Sequence, residues 1–342
     1  MPKRNARVAF RLRAPGAREV RLGSPDLQGL GKGEMIRDPA GIWNLAVDNV
    51  VPGAYRYRFL VDGVETLDPA SGSTAESLGN AWSLRLVEGS NLFDLRDVPH
   101  GTVARVPYRS TATNGWRRAH VYTPPGYESG RGSYPILHLL HGSGDTDDAW
   151  TSVGRAAMIF DNLIADGKMV PAVVAMPAGH TRPAGTPAPD GEFVRDFLES
   201  WQPFLESRWR IRRDARHRAV AGLSMGGFHT MELLAARPDD FGTAGVFSAG
   251  IGGLLPRPGR PAANPSWETM HADALARLAT GKSLRSLWIA IGKDDFLLET
   301  SRATSALLQR HKVAHQHVET EGGHTWLVWR EYLATFAPTC FR

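Results

Sequence analysis

The sequence has little of several features that define common classes of protein. One cysteine, Cys340, occurs in 342 residues. No disulfide can therefore form within the chain, and disulfide content does not indicate a redox compartment. No apolar run reaches the roughly 18 residues that a helix needs to span a bilayer. The net charge of +5 is small for this length, and no stretch concentrates it among aromatic residues. Neither a membrane nor a nucleic acid is therefore expected as a partner.

Motifs for cofactors are also missing. Phosphate-binding and dinucleotide-binding motifs are absent, so no cofactor is expected. His311, His315 and His317 resemble a metal-ligand spacing, but no carboxylate or cysteine pattern completes it, and no metal site is predicted. Residues 1–10 are basic but lack the apolar core of a signal peptide. Two localisations stay open: cytoplasmic, or secreted or periplasmic with a leader already removed.

The first part of the chain is typical of β-structure. Composition is that of a globular protein, with 42% apolar and 22% charged residues, and the length suggests about two domains. From residue 8 to about 95, apolar and polar residues alternate in short runs, with turns at Pro52-Gly53 and Asp62-Gly63. Later strands are predicted around Leu84, Leu86 and Leu92. Several short strands at this spacing predict a β-sandwich.

From about residue 107 the pattern changes to continuous apolar runs that alternate with helical segments. Such runs are typical of parallel strands covered on both faces, and the alternation predicts a doubly wound α/β sheet. The predicted strands are 136–140, 170–176, 219–223, 244–247 and 287–291, and the predicted helices include 193–208, 225–236 and 301–311. We therefore expect a β-domain over 1–98, a linker over 99–106 and an α/β domain over 107–342.

The strongest local signal surrounds Ser224. The run Gly222-Leu223-Ser224-Met225-Gly226 follows an apolar strand and precedes a helix, which is the context of a nucleophile elbow. Glycines on both sides allow the strand and helix to approach without clashes at Cβ. The sequence therefore predicts that Ser224 is a catalytic nucleophile.

A serine nucleophile needs a base and an acid that orients it. His324 lies in a glycine-rich loop between a strand-like and a helix-like segment, and loops at the carboxyl ends of strands carry the chemistry in such sheets. We predict that His324 is the base. Two carboxylates, Asp294 and Asp295, follow the strand over 287–291, and only one can face His324. Asp295 is favoured, and Asp273 is a weaker alternative.

The oxyanion of the reaction needs two backbone N–H donors. Met225 directly follows the nucleophile and supplies one predicted donor. The second is expected in the glycine-rich loop after strand 136–140, where Ser143 is the candidate and Gly142 the alternative.

These motifs together resemble the esterase D-like branch of the α/β-hydrolases, which includes feruloyl, acetylxylan and enterochelin esterases. The resemblance covers nearly all of the second domain. It lies in the segments 120–127, 136–144, 176–180, 218–227 and 323–326, and the run Tyr-Thr-Pro-Pro-Gly-Tyr is most similar to the first family of carbohydrate esterases. The resemblance implies an α/β-hydrolase fold, selects Asp295 as the acid, and implies substrate-binding positions at His141, Gly142, His180 and Trp326.

The first domain resembles the immunoglobulin-like module related to glycogen-binding domains. The likeness lies in the segments 41–43, 52–59, 61–63 and 68–69. Glycogen binders of this type carry a tryptophan two residues after the Val-Asp-Gly glycine, and this chain has Glu65 there. The resemblance therefore implies a packing domain beside the catalytic cleft more than a polysaccharide-binding one.

The residues predict a serine esterase that works through an acyl-enzyme. The resemblance implies a small-molecule or polysaccharide-linked ester as substrate, with a feruloyl or acetyl ester of plant-wall xylan favoured. A trilactone siderophore, as in enterochelin esterases, is the alternative substrate. A non-catalytic carbohydrate-binding protein on the same fold is the alternative of another class.

Overall fold

The computed structural model describes residues 5–255 and 266–341; residues 1–4 and 342, at the ends of the two predicted domains, lie outside this description. Its largest element is an eight-stranded sheet in which six neighbouring strands are parallel and two at one edge are antiparallel. Its strands are β9 (Thr102–Ser110), β10 (Gly115–Thr123), β11 (Ile136–Leu140), β12 (Val173–Pro177), β13 (Arg218–Leu223), β14 (Thr243–Phe247), β15 (Ser286–Gly292) and β16 (Gln316–Thr320). They lie in the order β16-β15-β14-β13-β11-β12-β10-β9.

Helices cover both faces of this sheet, which confirms the predicted doubly wound arrangement. The first and last of these helices pack on one face, while the helices after β12, β13, β14 and β15 pack on the other. The helices are α1 (Ala156–Ala165), α2 (Glu192–Asp196), α3 (Gln202–Arg208), α4 (Met225–Ala236), α5 (Trp267–Met270), α6 (Ala272–Ala279), α7 (Leu298–Arg310) and α8 (Trp326–Phe336). A π-helical segment, Phe197–Trp201, joins α2 to α3, so the predicted helix over 193–208 is one helical stretch of mixed type.

The chain before this sheet, residues 5–98, forms what we call the N-terminal β region. It contains two antiparallel sheets whose inner side chains form one apolar core, with Phe10, Trp43, Tyr55, Tyr57 and Phe59 among them. The strands are β1 (Ala6–Arg13), β2 (Val20–Gly23), β3 (Ile36–Arg37), β4 (Ile42–Val50), β5 (Gly53–Val61), β6 (Val64–Thr66), β7 (Thr74–Ser77) and β8 (Asn80–Val87). Strands β5 and β6 meet at a two-residue turn, Asp62-Gly63, in which both residues have positive φ, as the hairpin prediction requires.

Two details differ from the sequence-based expectation. Residues 102–106 of the predicted linker belong to β9, which pairs along its whole length with β10, so these residues are part of the main sheet. Leu92 lies in a turn and not in a strand. No helix among the described residues is both long and apolar enough to cross a membrane.

The N-terminal β region packs directly on the rest of the chain, which we call the α/β region (residues 99–341). Ala54, Ala75 and Leu84 belong to the same apolar cluster as α1 and α8. Arg330 of α8 is fully buried at this junction and donates from Nη1 to the carbonyl oxygens of Ala54, at 3.3 Å, and Val153, at 2.8 Å. The two regions are therefore joined by both apolar and polar contacts.

Candidate active site

Ser224 lies at a sharp turn between β13 and α4. Its backbone has φ 51° and ψ −117°, a conformation that costs energy for a residue with a side chain. Glycine is required on both sides: a Cβ at Gly222 would overlap the backbone of Gly226, and a Cβ at Gly226 would overlap the carbonyl of Leu140. The Ser224 N–H donates to Phe247 O at 2.9 Å, which ties the turn to the next strand. This geometry is that of a nucleophile elbow.

His324 and Asp295 meet at the carboxyl ends of β15 and β16. Nδ1 of His324 lies 2.9 and 3.0 Å from the two carboxylate oxygens of Asp295, which is itself buried. The N–H of Leu297 also donates to this carboxylate, at 2.9 Å. Asp294 is exposed, so the structure brings Asp295 to His324 and leaves Asp294 in solvent. With Nδ1 donating to the carboxylate, Nε2 of His324 is the nitrogen that can accept a proton.

Two aromatic rings flank the imidazole of His324. The ring centroid of Phe296 lies 4.4 Å away and that of Trp329 lies 5.0 Å away. Trp329 is fixed by a hydrogen bond from its indole N–H to Ser248 Oγ at 2.9 Å, whereas Phe296 is 77% exposed. Sequence reasoning missed both rings, although Phe296 directly follows the predicted acid.

The two predicted oxyanion donors lie beside the elbow. Residues 142–145 form a turn closed by a hydrogen bond from Asp145 N–H to Gly142 O at 3.1 Å, and Ser143 occupies its second position. A Cβ at Gly142 would lie 3.4 Å from Ser224 Cβ, so this turn lies against the serine. Among the described residues, neither Ser143 N–H nor Met225 N–H donates to a backbone carbonyl. Both donors are therefore available to an oxyanion.

His141 is buried and holds the loops around the site. Its Nε2 accepts from Gly179 N–H at 2.7 Å, so Nδ1 carries the proton and donates to Gly142 O at 2.8 Å. Burial lowers the pKa of His141 to about 4, which keeps the ring neutral at pH 7. Because it is 1% exposed, His141 supports the turn, and its predicted contact with a substrate stays a prediction.

His180 lies on the more open side of the same turn. Its Nε2 is 2.5 Å from Ser143 O, and burial lowers its pKa, so a neutral ring donates this hydrogen bond. Trp326, by contrast, is 1% exposed and packs edge-on against Trp150 and Trp329 in the core. The prediction of a substrate contact at Trp326 is corrected accordingly: the first residue of α8 faces inward.

A cleft of about 780 Å³ opens beside the turn and reaches Ser143, Met225 and His180. One wall is the loop over 181–191. The opposite wall includes His229, whose ring stacks on Phe193 with centroids 4.0 Å apart. Burial lowers the pKa of His229 to about 3. Its position one turn into α4, after Ser224, places His229 at the cleft.

The histidines with metal-like spacing take separate partners. Nε2 of His311 is 2.7 Å from Glu268, and His315 and His317 contact Ser305 and Ser301. Among the residues that the structure describes, no group of three or more candidate ligands converges on a metal position.

Comparison with known proteins identifies relatives of this architecture. The esterase family model matches residues 110–339. An endo-1,4-beta-xylanase/feruloyl esterase of Xylanibacter ruminicola is 27% identical over 345 residues, which cover 97% of this chain and 44% of that protein. The chain thus spans less than half of the length of this curated relative.

Two solved structures extend the comparison to the fold. Enterochelin esterase from Shigella flexneri aligns with a TM-score of 0.69 at 17% identity, over 98% of this chain and 92% of that chain. A CE1 ferulic acid esterase of Anaeromyces mucronatus, in complex with ferulic acid, aligns with a TM-score of 0.61 at 20% identity, over 75% of this chain and 98% of that chain. At these identities the likeness concerns the fold, and it confirms the α/β-hydrolase type predicted for the α/β region.

Proposed function

The chain belongs to the esterase family, and on that premise we propose that it hydrolyses carboxylic esters at Ser224 through an acyl-enzyme. The observation that carries this proposal is the pairing of His324 with the buried carboxylate of Asp295, together with the elbow that strains Ser224. A strained serine, an oriented imidazole and two N–H donors without backbone acceptors are the parts that ester hydrolysis requires.

The reaction divides into two halves. In the first, Ser224 Oγ attacks the ester carbonyl carbon and its proton passes to Nε2 of His324. The N–H groups of Ser143 and Met225 stabilise the oxyanion, and His324 then gives the proton to the departing alcohol. In the second half, water attacks the acyl-enzyme and gives a proton to His324, which returns it to Ser224 Oγ as the bond to the acyl group breaks and the carboxylic acid is released. Asp295 stabilises the imidazolium in both halves.

For the substrate we favour a feruloyl or acetyl ester carried by xylan. Support comes from the relative named as a xylanase/feruloyl esterase, which aligns with nearly the whole chain. The cleft of about 780 Å³ beside Ser143 is large enough for an aromatic acid with part of a sugar. A trilactone siderophore is the second candidate, because enterochelin esterase aligns over 98% of this chain, the N-terminal β region included.

For the N-terminal β region we favour an immunoglobulin-like sandwich that acts as a distinct domain over residues 1–98. Support comes from its two antiparallel sheets, which share a single core. The absence of a ring at Glu65 favours a structural role over glycan binding.

The test measures release of ferulate from methyl ferulate, acetate from acetylated xylan and p-nitrophenol from p-nitrophenyl acetate, together with hydrolysis of the trilactone enterobactin. Ser224→Ala is expected to lower kcat by roughly 10⁴- to 10⁶-fold, as in comparable triads, while the melting temperature stays unchanged. Ser129→Ala, at an exposed serine far from the elbow in sequence, is the matched control. Retention of a tenth of wild-type activity in Ser224→Ala would exclude Ser224 as nucleophile, and activity only on a trilactone would favour the second candidate substrate.

A further inference from the structure

The turn over 142–145 is held at both ends by its neighbours. Ser143 and Gly144 are exposed, and the turn is closed by one hydrogen bond, from Asp145 N–H to Gly142 O. His141 and His180 contact the carbonyl oxygens of Gly142 and Ser143. Asp145, the last residue of the turn, is buried, so the position of Ser143 N–H also depends on what holds Asp145.

A guanidinium from the N-terminal β region holds Asp145. Arg56 of β5 donates from Nη1 to Asp145 Oδ1 at 2.8 Å. The same guanidinium donates from Nε and Nη2 to the two carboxylate oxygens of Asp26, both at 2.9 Å. The side chains of Arg56, Asp26 and Asp145 are 12%, 6% and 7% exposed. Because Asp26 orients the guanidinium on both oxygens, the remaining nitrogen points at Asp145 in a fixed direction.

Strand β7 supports the same turn from the other side. Ser77 forms an antiparallel bridge with Asp145, and Leu78 N–H donates to Gly144 O at 3.1 Å. Glu76 N–H donates to Asp148 Oδ2 at 2.9 Å, while the carboxylate of Glu76 pairs with Arg118. The turn is thus bound to the N-terminal β region through main-chain and side-chain contacts together.

We propose that Arg56 is a positioning residue for the oxyanion site. Through Arg56, the N-terminal β region holds Asp145, and Asp145 in turn holds the turn that presents Ser143 N–H. The inference rests on the proposed esterase function and adds a role for a residue some 90 positions away in sequence from the turn. Sub-ångström displacement of a backbone donor weakens stabilisation of the oxyanion, because that stabilisation depends on preorganised geometry.

Electrostatics shows why the turn would move without Arg56. Burial raises the pKa of Asp145 to about 6, even though the charge of Arg56 acts in the opposite direction. Removal of Arg56 leaves a buried carboxylate without its cation, so Asp145 must either take up a proton or move toward water. Either outcome weakens the contact by which the N-terminal β region holds Asp145.

The first test compares Arg56→Met with wild type on p-nitrophenyl acetate. Because a displaced donor costs less than a deleted one, we expect kcat to fall by about 10- to 100-fold while KM changes by less than about threefold. Asp145→Ala should give a similar loss, and it leaves the Arg56–Asp26 pair intact, so folding is preserved. The double variant should lose no more than the stronger single variant, since both break one contact.

Arg58→Met is the matched control, because Arg58 lies on the same strand but pairs with Glu65; it should keep kcat within about twofold. Arg56→Lys, which retains the charge without the fork, should recover part of the loss. Hydrogen exchange gives a readout without turnover: amides of 142–148 should exchange faster in Arg56→Met, and those of 218–223 should not change.

A lowered melting temperature with kcat within threefold of wild type would overturn the inference, as would losses that multiply in the double variant. If wild type hydrolyses no ester, the proposed function fails, and hydrogen exchange alone still decides whether Arg56 holds the turn.

Discussion

The two regions of the molecule contribute differently to one site. The α/β region contains all 12 histidines, the first being His100, together with the elbow and the predicted acid. The N-terminal β region has none of these groups, yet Arg56 and β7 contact the turn that carries Ser143. The predicted catalytic side chains thus lie in one region, while both regions contact the turn that carries Ser143. Sequence motifs identify the predicted catalytic side chains, whereas the residues that hold the turn are identified only by their contacts in the folded structure.

The largest loss of activity that tests this comparison is expected at Asp295, the predicted acid of the α/β region. Asp295→Asn should lower kcat by roughly 10⁴-fold, because an asparagine favours the wrong tautomer of His324. Asp294→Asn, at the exposed neighbour, should change kcat by less than about threefold. Steady-state kinetics on p-nitrophenyl acetate measures both. The reverse ranking of the two variants would show that Asp294 serves His324 in solution.

The parts of the site that follow local sequence rules were predictable. Ser224 is marked by glycines that the elbow requires on both sides, and the helix after it begins at the predicted residue, Met225. Continuous apolar runs between helical segments also predict buried parallel strands with little ambiguity. Strand β11 and helix α4 have the predicted bounds.

Residues whose role depends on distant partners were not predictable in the same way. Trp326 lies near His324 in sequence, but helical geometry turns its ring into the core. Arg56 is one of 34 arginines in the chain, and nothing in its neighbourhood distinguishes it until the fold brings Asp26 and Asp145 around it. The first five residues of β9, 102–106, were predicted as linker, because apolar residues are sparse in this edge strand.

A second prediction concerns the pH dependence of stability, which we assign to the α/β region. His138 of β11 is fully buried beside Phe197 and Phe241, and burial lowers its pKa to about 3. The unfolded chain binds a proton at this residue below about pH 6.5, whereas the folded chain does not until about pH 3. Stability contributed by neutral His138 is therefore lost as the pH falls from 6.5, by up to about 1.4 kcal/mol per pH unit.

His138→Phe should accordingly flatten the fall in unfolding free energy between pH 7 and pH 5, measured by urea denaturation. Phenylalanine also removes the buried Nδ1, which has no hydrogen-bond partner among the described residues, so stability at pH 7 should be retained. His138→Gln separates titration from packing, because glutamine cannot titrate either. A slope unchanged in both variants would assign the acid sensitivity to other groups.

The smallest effect is expected for glycan binding by the N-terminal β region. Trp43, Tyr55 and Tyr57 are at most 7% exposed, and the ring of Trp82 is covered by the guanidinium of Arg58 at 3.6 Å. Stacking on sugars needs an exposed ring face, which the three buried rings do not offer and which Arg58 covers on one side of Trp82. The full chain should therefore migrate equally in native gels with and without xylan or glycogen. Trp116→Ala is the control, since Trp116 of the α/β region is 72% exposed. Retardation that this substitution abolishes would come from the α/β region. Retardation that persists would give the N-terminal β region a binding function and contradict the division of roles between the two regions.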